Sequence, residues 1–221
     1  MIDLYTSYTS NAQRASIAML ESGLDYTIHP VDIYKGETRS PGYLAINPNG
    51  TLPAIVDHDG PDGESLTLTQ SVNIVWYLAE KSGRLLPHDE RSRVLAHEWC
   101  LFMATDVYPP FASQYYLRWA GLPDPEPAAA TFYSLMTERF HRLDRHLATT
   151  PFVVGDDFTV VDVVAYPMCE MAARAFPEIG DLKHVNRWRE AVSARPSVIE
   201  AMSWFVELAP TLESAPTVWL R

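Results

Sequence analysis

The chain has 221 residues, enough for one large domain or two small ones. With 47% hydrophobic and 20% charged residues it is globular in composition, which excludes a disordered or collagen-like chain. Its 17 basic and 28 acidic residues give a net charge of −11, which argues against non-specific binding to nucleic acid or to an anionic membrane. No apolar run approaches the ~18 residues of a membrane span. The opening Met-Ile-Asp-Leu-Tyr lacks a basic and then apolar leader. The expectation is a cytoplasmic protein with neither membrane nor nucleic acid as partner. Cys100 and Cys169 form no metal-binding spacing. They read as free thiols in a reducing compartment, with no metal expected.

The first third alternates strand and helix signals. Ile2 to Thr6 has period two and β-prone residues. A polar turn, Ser7-Tyr8-Thr9-Ser10-Asn11, leads into a helical run through Ala15, Ile17, Ala18, Met19 and Leu20, stopped by Gly23. Tyr26 to Val31 predicts a second strand, and Pro30 assigns it to an edge or an end. Tyr34 to Pro48 predicts a loop with one short helix around Tyr43 to Ile46. Leu52–Asp57 and Ser65–Thr69 predict two strands, joined as a hairpin by His58-Asp59-Gly60-Pro61-Asp62-Gly63. A helix runs from Gln70 to about Ser82-Gly83. Tyr5 is expected in the core because it alternates within its strand.

Strand signals stop at Gly83. Residues 84–91 predict a polar linker around Pro87, and helices follow from Glu90. The first carries an aromatic stripe of Trp99, Phe102, Tyr108, Phe111, Tyr115, Tyr116 and Trp119, and Pro109-Pro110 is expected to kink or split it. After a loop punctuated by Pro123, Pro125 and Pro127, a helix spans residues 128–147. Thr159 and Asp162 form a capping box, with Asp in place of the usual Glu and Phe158 as the apolar staple. Two more helices are predicted at 182–194 and 197–208, and Val218-Trp219-Leu220 is expected to dock on the body. The domain division is therefore 1–83, an α/β unit in the order βαβαββα, and 90–221, all-helical.

Four segments carry a resemblance over nearly the whole chain. They are Asn47-Pro48-Asn49-Gly50-Thr51-Leu52-Pro53-Ala54, Leu68-Thr69-Gln70-Ser71-Val72-Asn73-Ile74, Tyr77-Leu78-Ala79-Glu80, and the stretch Gly155 through Asp162. In this order and spacing the chain resembles the cytosolic glutathione S-transferases. Its Thr9-Ser10-Asn11 turn is most similar to the nu class and to bacterial glutathione-dependent disulfide-bond oxidoreductases. The resemblance implies a thioredoxin-like first domain, an all-α second domain, glutathione as cosubstrate and a symmetric homodimer. The activity it implies is a transferase or disulfide-bond reductase, in which a glutathione thiolate attacks a small disulfide or an electrophile.

The same resemblance assigns residues. Asn11, Thr9 and Ser10 stand at the thiol. A free thiol with a pKa near 8.5 is only a few per cent ionised at neutral pH, and lowering that value by one unit takes about 1.4 kcal/mol. Neutral donors at a helix N-terminus supply roughly that much. Asn11 cannot act as a base, so its role is electrostatic. Thr, Ser and Asn are also preferred helix caps, which is the plainer reading of the same three residues. Ser10 stands where nu-class members often carry proline, so serine-type conjugation is an alternative.

Family Leu-Pro bonds of this kind are cis. That implies Leu52, beside Pro53, pairs its backbone with the cysteinyl unit like an added strand. Gln70 and Ser71 would take the γ-glutamyl group at a helix N-terminus, although the family usually has Glu or Asp at Gln70. Thr38 and Asn49 lie toward the glycyl end, with Lys35 and Arg39 as cations for its carboxylate. Tyr108, Phe111, Tyr115 and Trp119 either line an acceptor pocket or form plain core. Tyr8 does not match the offset of tyrosine-type classes. His97 and Cys100 share a helix face, with packing rather than metal binding as the default. A non-catalytic interaction module that keeps the fold is the remaining alternative, favoured by Gln70.

Overall fold

A computed structural model describes residues 1–119 and 123–208, and within that span it leaves the side chains of Tyr115 and Trp119 undescribed. The expected docking of Val218-Trp219-Leu220 lies outside the described residues. The chain forms two units, residues 1–86 with 194–208 and residues 87–193.

The first unit runs β1 (Ile2–Thr6), α1 (Ser10–Ser22), β2 (Tyr26–Pro30), α2 (Pro41–Ile46), β3 (Ala54–Asp57), β4 (Leu66–Thr69) and α3 (Ser71–Ser82). This is the predicted βαβαββα order. The sheet order is β2-β1-β3-β4, with β1 parallel to β2 and antiparallel to β3. Pro30 sits on edge strand β2, where its missing N–H costs no ladder bond. The hairpin forms as expected, with Ile55 opposite Leu68.

Alternation along β1 buries Ile2, Leu4 and Thr6 on one face. Ile17, Ile55, Ile74 and Leu78 join them in a core against which α1 and α3 pack. Tyr5 packs against a second, smaller cluster and is only partly buried. Period two puts it with Asp3 on the opposite face, half-buried, stacked on His29 at 4.7 Å and packed with Tyr43 and Ala54.

Beneath the sheet, Asp57 is fully buried and accepts from Tyr77 Oη at 2.5 Å and pairs with Lys81 Nζ at 2.7 Å. Lys81 also donates to the Asp59 carbonyl. Burial opposes ionisation of Asp57, but the Lys81 ammonium, the Tyr77 hydroxyl and the Asp59 amide outweigh it and hold the carboxyl below its ordinary value of 3.8. A depressed carboxylate contributes stability above its unfolded value and loses it as pH falls through the folded one. Asp57→Asn is therefore expected to be about 1–2 kcal/mol less stable than wild type at pH 7. That gap should narrow as pH falls below about 4. Urea midpoints measured across that range check it, and a gap independent of pH would refute the assignment.

A last helix, α10 (Pro196–Ser203), packs on α1 and belongs to this first unit. The helix therefore does not belong with the helical domain expected over residues 90–221. The tie is specific: Glu21 accepts from Arg195 Nε at 2.9 Å and Nη2 at 3.0 Å, and from the Ser197 hydroxyl. Tyr26 also faces Trp204, 6.2 Å between ring centroids.

The second unit is helical: α4 (Glu90–Leu101), α5 (Tyr108–Trp119), α6 (Glu126–Leu147), α7 (Val160–Ala175), α8 (Pro177–Gly180) and α9 (Lys183–Ser193). Between α4 and α5 the helix does not break but widens into a π turn, Phe102–Val107. Pro109 and Pro110 lack the N–H groups that would reach back one ordinary turn. The chain instead takes up a longer repeat, with Tyr108 N donating to Met103 O.

The capping box on α7 is present as read from the sequence. Asp162 has no solvent exposure and accepts from Thr159 N (2.9 Å), Thr159 Oγ1 (3.2 Å), Val153 N (3.0 Å) and Trp188 Nε1 (2.8 Å). Burial pushes its carboxyl above the ordinary value, and these four donors oppose that push. One residue thus ties the start of α7 to the preceding loop and to α9. No helix among the described residues is long and apolar enough to cross a membrane.

Candidate functional site

The turn after β1 delivers three polar residues to the start of α1. Thr9 has extended backbone and caps the helix, its Oγ1 accepting from Ala12 N at 3.2 Å. Ser10 is the first helical residue and is buried, 6% exposed. Asn11, half-buried, accepts through Oδ1 from Arg14 Nη1 at 2.8 Å. The capping role expected of these residue types is therefore real for Thr9.

Arg14 was not anticipated from the sequence. It is 2% exposed, one turn along α1 from Asn11. Its Nη1 also donates to Ser71 Oγ at 3.3 Å, across 57 residues of chain. Ser71 is buried and begins α3, preceded by Gln70 at φ 69°, ψ 105°. A non-glycine residue at positive φ stores strain on the order of 1–3 kcal/mol, a common feature where a chain must present its backbone or side chain to a ligand. The side chain of Gln70 is exposed.

The third segment is organised by Asn47, another residue without an assigned role in the sequence reading. It is fully buried. Its Nδ2 donates to Thr51 O at 2.6 Å and Oγ1 at 3.2 Å, while its Oδ1 accepts from Asn49 N at 3.1 Å. Tyr43 Oη donates to the same Thr51 carbonyl at 2.6 Å. The two grip the chain directly before Leu52. The Leu52–Pro53 bond is cis, and the Leu52 amide and carbonyl have no hydrogen-bond partner among the described residues. Asn47 was legible only as part of a motif. The signal for its role is the Asn-x-Asn-Gly turn, in which a side-chain amide closes a loop on the backbone.

Thr38 is buried in a 3₁₀ turn, Glu37–Arg39. Arg39 Nη1 donates to the carbonyl of exposed Asn49 at 3.1 Å. Gly50, φ 61°, is required here, since a Cβ would stand 2.5 Å from Arg39 Nη1 and 3.0 Å from Thr38 O. Lys35 pairs with Asp32 at 3.2 Å. The structure thus joins Asn11 with Ser71 through Arg14, and Thr38 with Asn49 through Arg39.

In the second unit Phe111 is buried and Tyr108 half-buried, their ring centroids 6.5 Å apart. The side chains of Tyr115 and Trp119 are outside the described residues. His97 is exposed while Cys100 is buried, so the two do not present one face to a common ligand. Among the described residues no group of three or more His, Cys, Asp or Glu side chains is placed to hold a metal ion.

A four-stranded β2-β1-β3-β4 sheet carrying the cis Leu52–Pro53 bond, followed by an all-helical unit, defines the glutathione transferase fold. The family models agree: glutathione S-transferase, N-terminal domain, matches residues 9–81, and glutathione S-transferase, C-terminal domain, matches residues 110–196. The disulfide-bond oxidoreductase YfcG of Escherichia coli (strain K12) is 32% identical, over 91% of this chain and 94% of that protein. A glutathione transferase family member from Pseudomonas fluorescens pf-5, solved with two glutathione bound, superposes with a TM-score of 0.84 at 28% identity, over 91% of this chain and 92% of that one. A glutathione transferase from Pseudomonas putida, solved with one glutathione disulfide per subunit, also has a TM-score of 0.84, at 27% identity over 92% of this chain and 91% of that one. The chain belongs to the glutathione S-transferase family of enzymes.

Proposed function

We propose that this enzyme is a nu-class-like, glutathione-dependent disulfide-bond reductase. The observation that carries the reading is the Leu52 backbone, without a hydrogen-bond partner among the described residues and held in place by Asn47 and Tyr43, which offers one donor and one acceptor to an extended peptide. In this reading the cysteinyl unit of glutathione pairs with Leu52 beside Pro53. The γ-glutamyl group lies at Gln70 and Ser71, and the glycyl end passes Thr38 and Asn49. The sulfur then meets the start of α1, where Asn11, Thr9 and Ser10 supply neutral donors. The 32% identity to a disulfide-bond oxidoreductase supports reduction over conjugation.

The chemistry is thiol–disulfide exchange. The bound thiolate attacks one sulfur of a disulfide, a new S–S bond forms, and the other sulfur departs as a thiolate that takes a proton from solvent. A second glutathione, as thiolate, attacks the glutathione sulfur of the mixed disulfide; glutathione disulfide forms, and the substrate's sulfur departs as a thiolate that takes a proton. The relatives solved with two glutathiones or with glutathione disulfide fit that sequence. Tyr108 offers surface for the acceptor, whereas buried Phe111 packs behind it; Tyr115 and Trp119 belong to the same proposed pocket. The reading includes a cytoplasmic homodimer, checked by sedimentation.

Retention on immobilised glutathione, followed by turnover of a model disulfide and of an aryl halide, tests this. Disulfide turnover should dominate. Dominant aryl-halide turnover would support serine-type conjugation through Ser10, and binding without turnover an interaction module. Asn11→Ala is expected to raise the pKa of the bound thiol by about one unit, a tenfold loss of thiolate below that pKa. Ultraviolet titration of the bound thiol reads it. No change in Asn11, Thr9 or Ser10 alanine variants would remove the assignment.

A further inference from the structure

We propose that Arg14 is the positioning residue of this site: one buried guanidinium fixes which atoms of Asn11 and of Ser71 face the ligand, and so couples the thiol end of the site to the γ-glutamyl end. The inference rests on the binding reading above and deepens it.

The argument is one of polarity. Asn and Ser are ambivalent groups, able to donate or to accept. Arginine has five donors and no acceptor. Its Nη1 contact with Asn11 at 2.8 Å therefore requires the amide oxygen to face it, which turns the NH₂ of Asn11 to the other side. Its contact with Ser71 Oγ at 3.3 Å uses an acceptor lone pair, so the Ser71 hydrogen is free to point away from Arg14. Both groups are converted into donors. Donors are what a thiolate and a carboxylate need, and two amphoteric side chains without such a partner would hold them only part of the time. The guanidinium is 2% exposed, so its charge is weakly screened by water and favours the ionised form of an anion lying beyond Asn11. A lysine keeps the charge, but its side chain is one bond shorter, so its nitrogen does not reach both oxygens from the place that Arg14 Nη1 holds.

The test compares wild type, R14M and R14K. The pKa of bound glutathione is followed by ultraviolet absorbance of the thiolate, and the affinity for S-methylglutathione, which keeps the γ-glutamyl group but has no ionisable sulfur, by calorimetry. In R14M the thiol pKa is expected to rise by about one unit and S-methylglutathione to bind about tenfold more weakly. In R14K part of the thiol shift should be restored while S-methylglutathione binding stays weak. A folded R14M with the wild-type titration and the wild-type affinity overturns the proposal. Should R14M fail to fold, the N11A/S71A double-mutant cycle decides it: through a shared Arg14 the two losses in glutathione affinity should be non-additive by threefold or more, and strict additivity overturns the coupling. Wild type that does not bind glutathione at all overturns the binding reading and this inference together. Normal wild-type binding with unresponsive variants overturns this inference alone.

Discussion

Asp162→Ala is expected to destabilise the protein by about 3–5 kcal/mol. The figure follows from what the substitution leaves behind. The carboxylate satisfies Val153 N, Thr159 N, Thr159 Oγ1 and Trp188 Nε1, and it has no solvent exposure. Alanine strands three buried N–H groups where water does not reach, at about 1–3 kcal/mol each before relaxation. It also removes half of the capping box that starts α7. Asp162→Asn should fall between. Its Oδ1 can keep the Val153 and Trp188 bonds, but its NH₂ then confronts the Thr159 amide, donor against donor. Urea unfolding at pH 7, followed by far-ultraviolet circular dichroism, gives the order wild type, Asn, Ala. A loss below about 1 kcal/mol in the alanine variant would mean that the surroundings collapse onto the gap and that this carboxylate does not organise the helical unit.

Asn47→Ala is expected to cost about 2–3 kcal/mol and to weaken glutathione binding as well. Asn47 closes its loop from inside, donating to Thr51 and accepting from Asn49 N. Without it the Asn49 amide and one lone pair of Thr51 O lose their partner, and the segment entering Leu52 is held by Tyr43 alone. Tyr43→Phe gives the converse: it removes one bond and leaves the Asn47 grip, so about 1 kcal/mol and a small affinity change are expected. Asn47→Asp should be worse than alanine, because a carboxylate would face the Thr51 carbonyl oxygen. Denaturant midpoints together with calorimetry of glutathione separate the two effects. Full affinity in folded Asn47→Ala would show that the Leu52 backbone is not the binding edge.

What could be read from the sequence was what chain neighbours decide. The capping box needs only residues 159–162, the β3–β4 hairpin only its turn, and the edge position of β2 only Pro30. The Asn11 and Ser71 positions came from short motifs of the same local kind. Arg14 did not, because its meaning depends on Ser71, 57 residues on, and a lone arginine in an amphipathic helix reads as surface. Tyr5 packs against the small cluster of Val31, Tyr43 and Ala54 and is only half-buried, because alternation fixes which residues share a face but not how deeply that face is covered. Pro109-Pro110 pointed correctly to a disturbance, but two missing N–H groups do not by themselves say whether a helix kinks, splits or widens into a π turn. The return of α10 to α1 rests on Glu21 and Arg195, 174 residues apart, and no local pattern encodes it.

That return bears on how the enzyme can be dissected. A fragment cut after Leu86 would take away the α/β sheet with α1 stripped of the α10 surface and with Glu21 stranded without Arg195 and Ser197. An independently folding minidomain would need residues 194–208 spliced back behind Leu86, and a chain end introduced near Ala194 would sever the very strap that braces the rod on which Thr9, Ser10 and Asn11 are mounted.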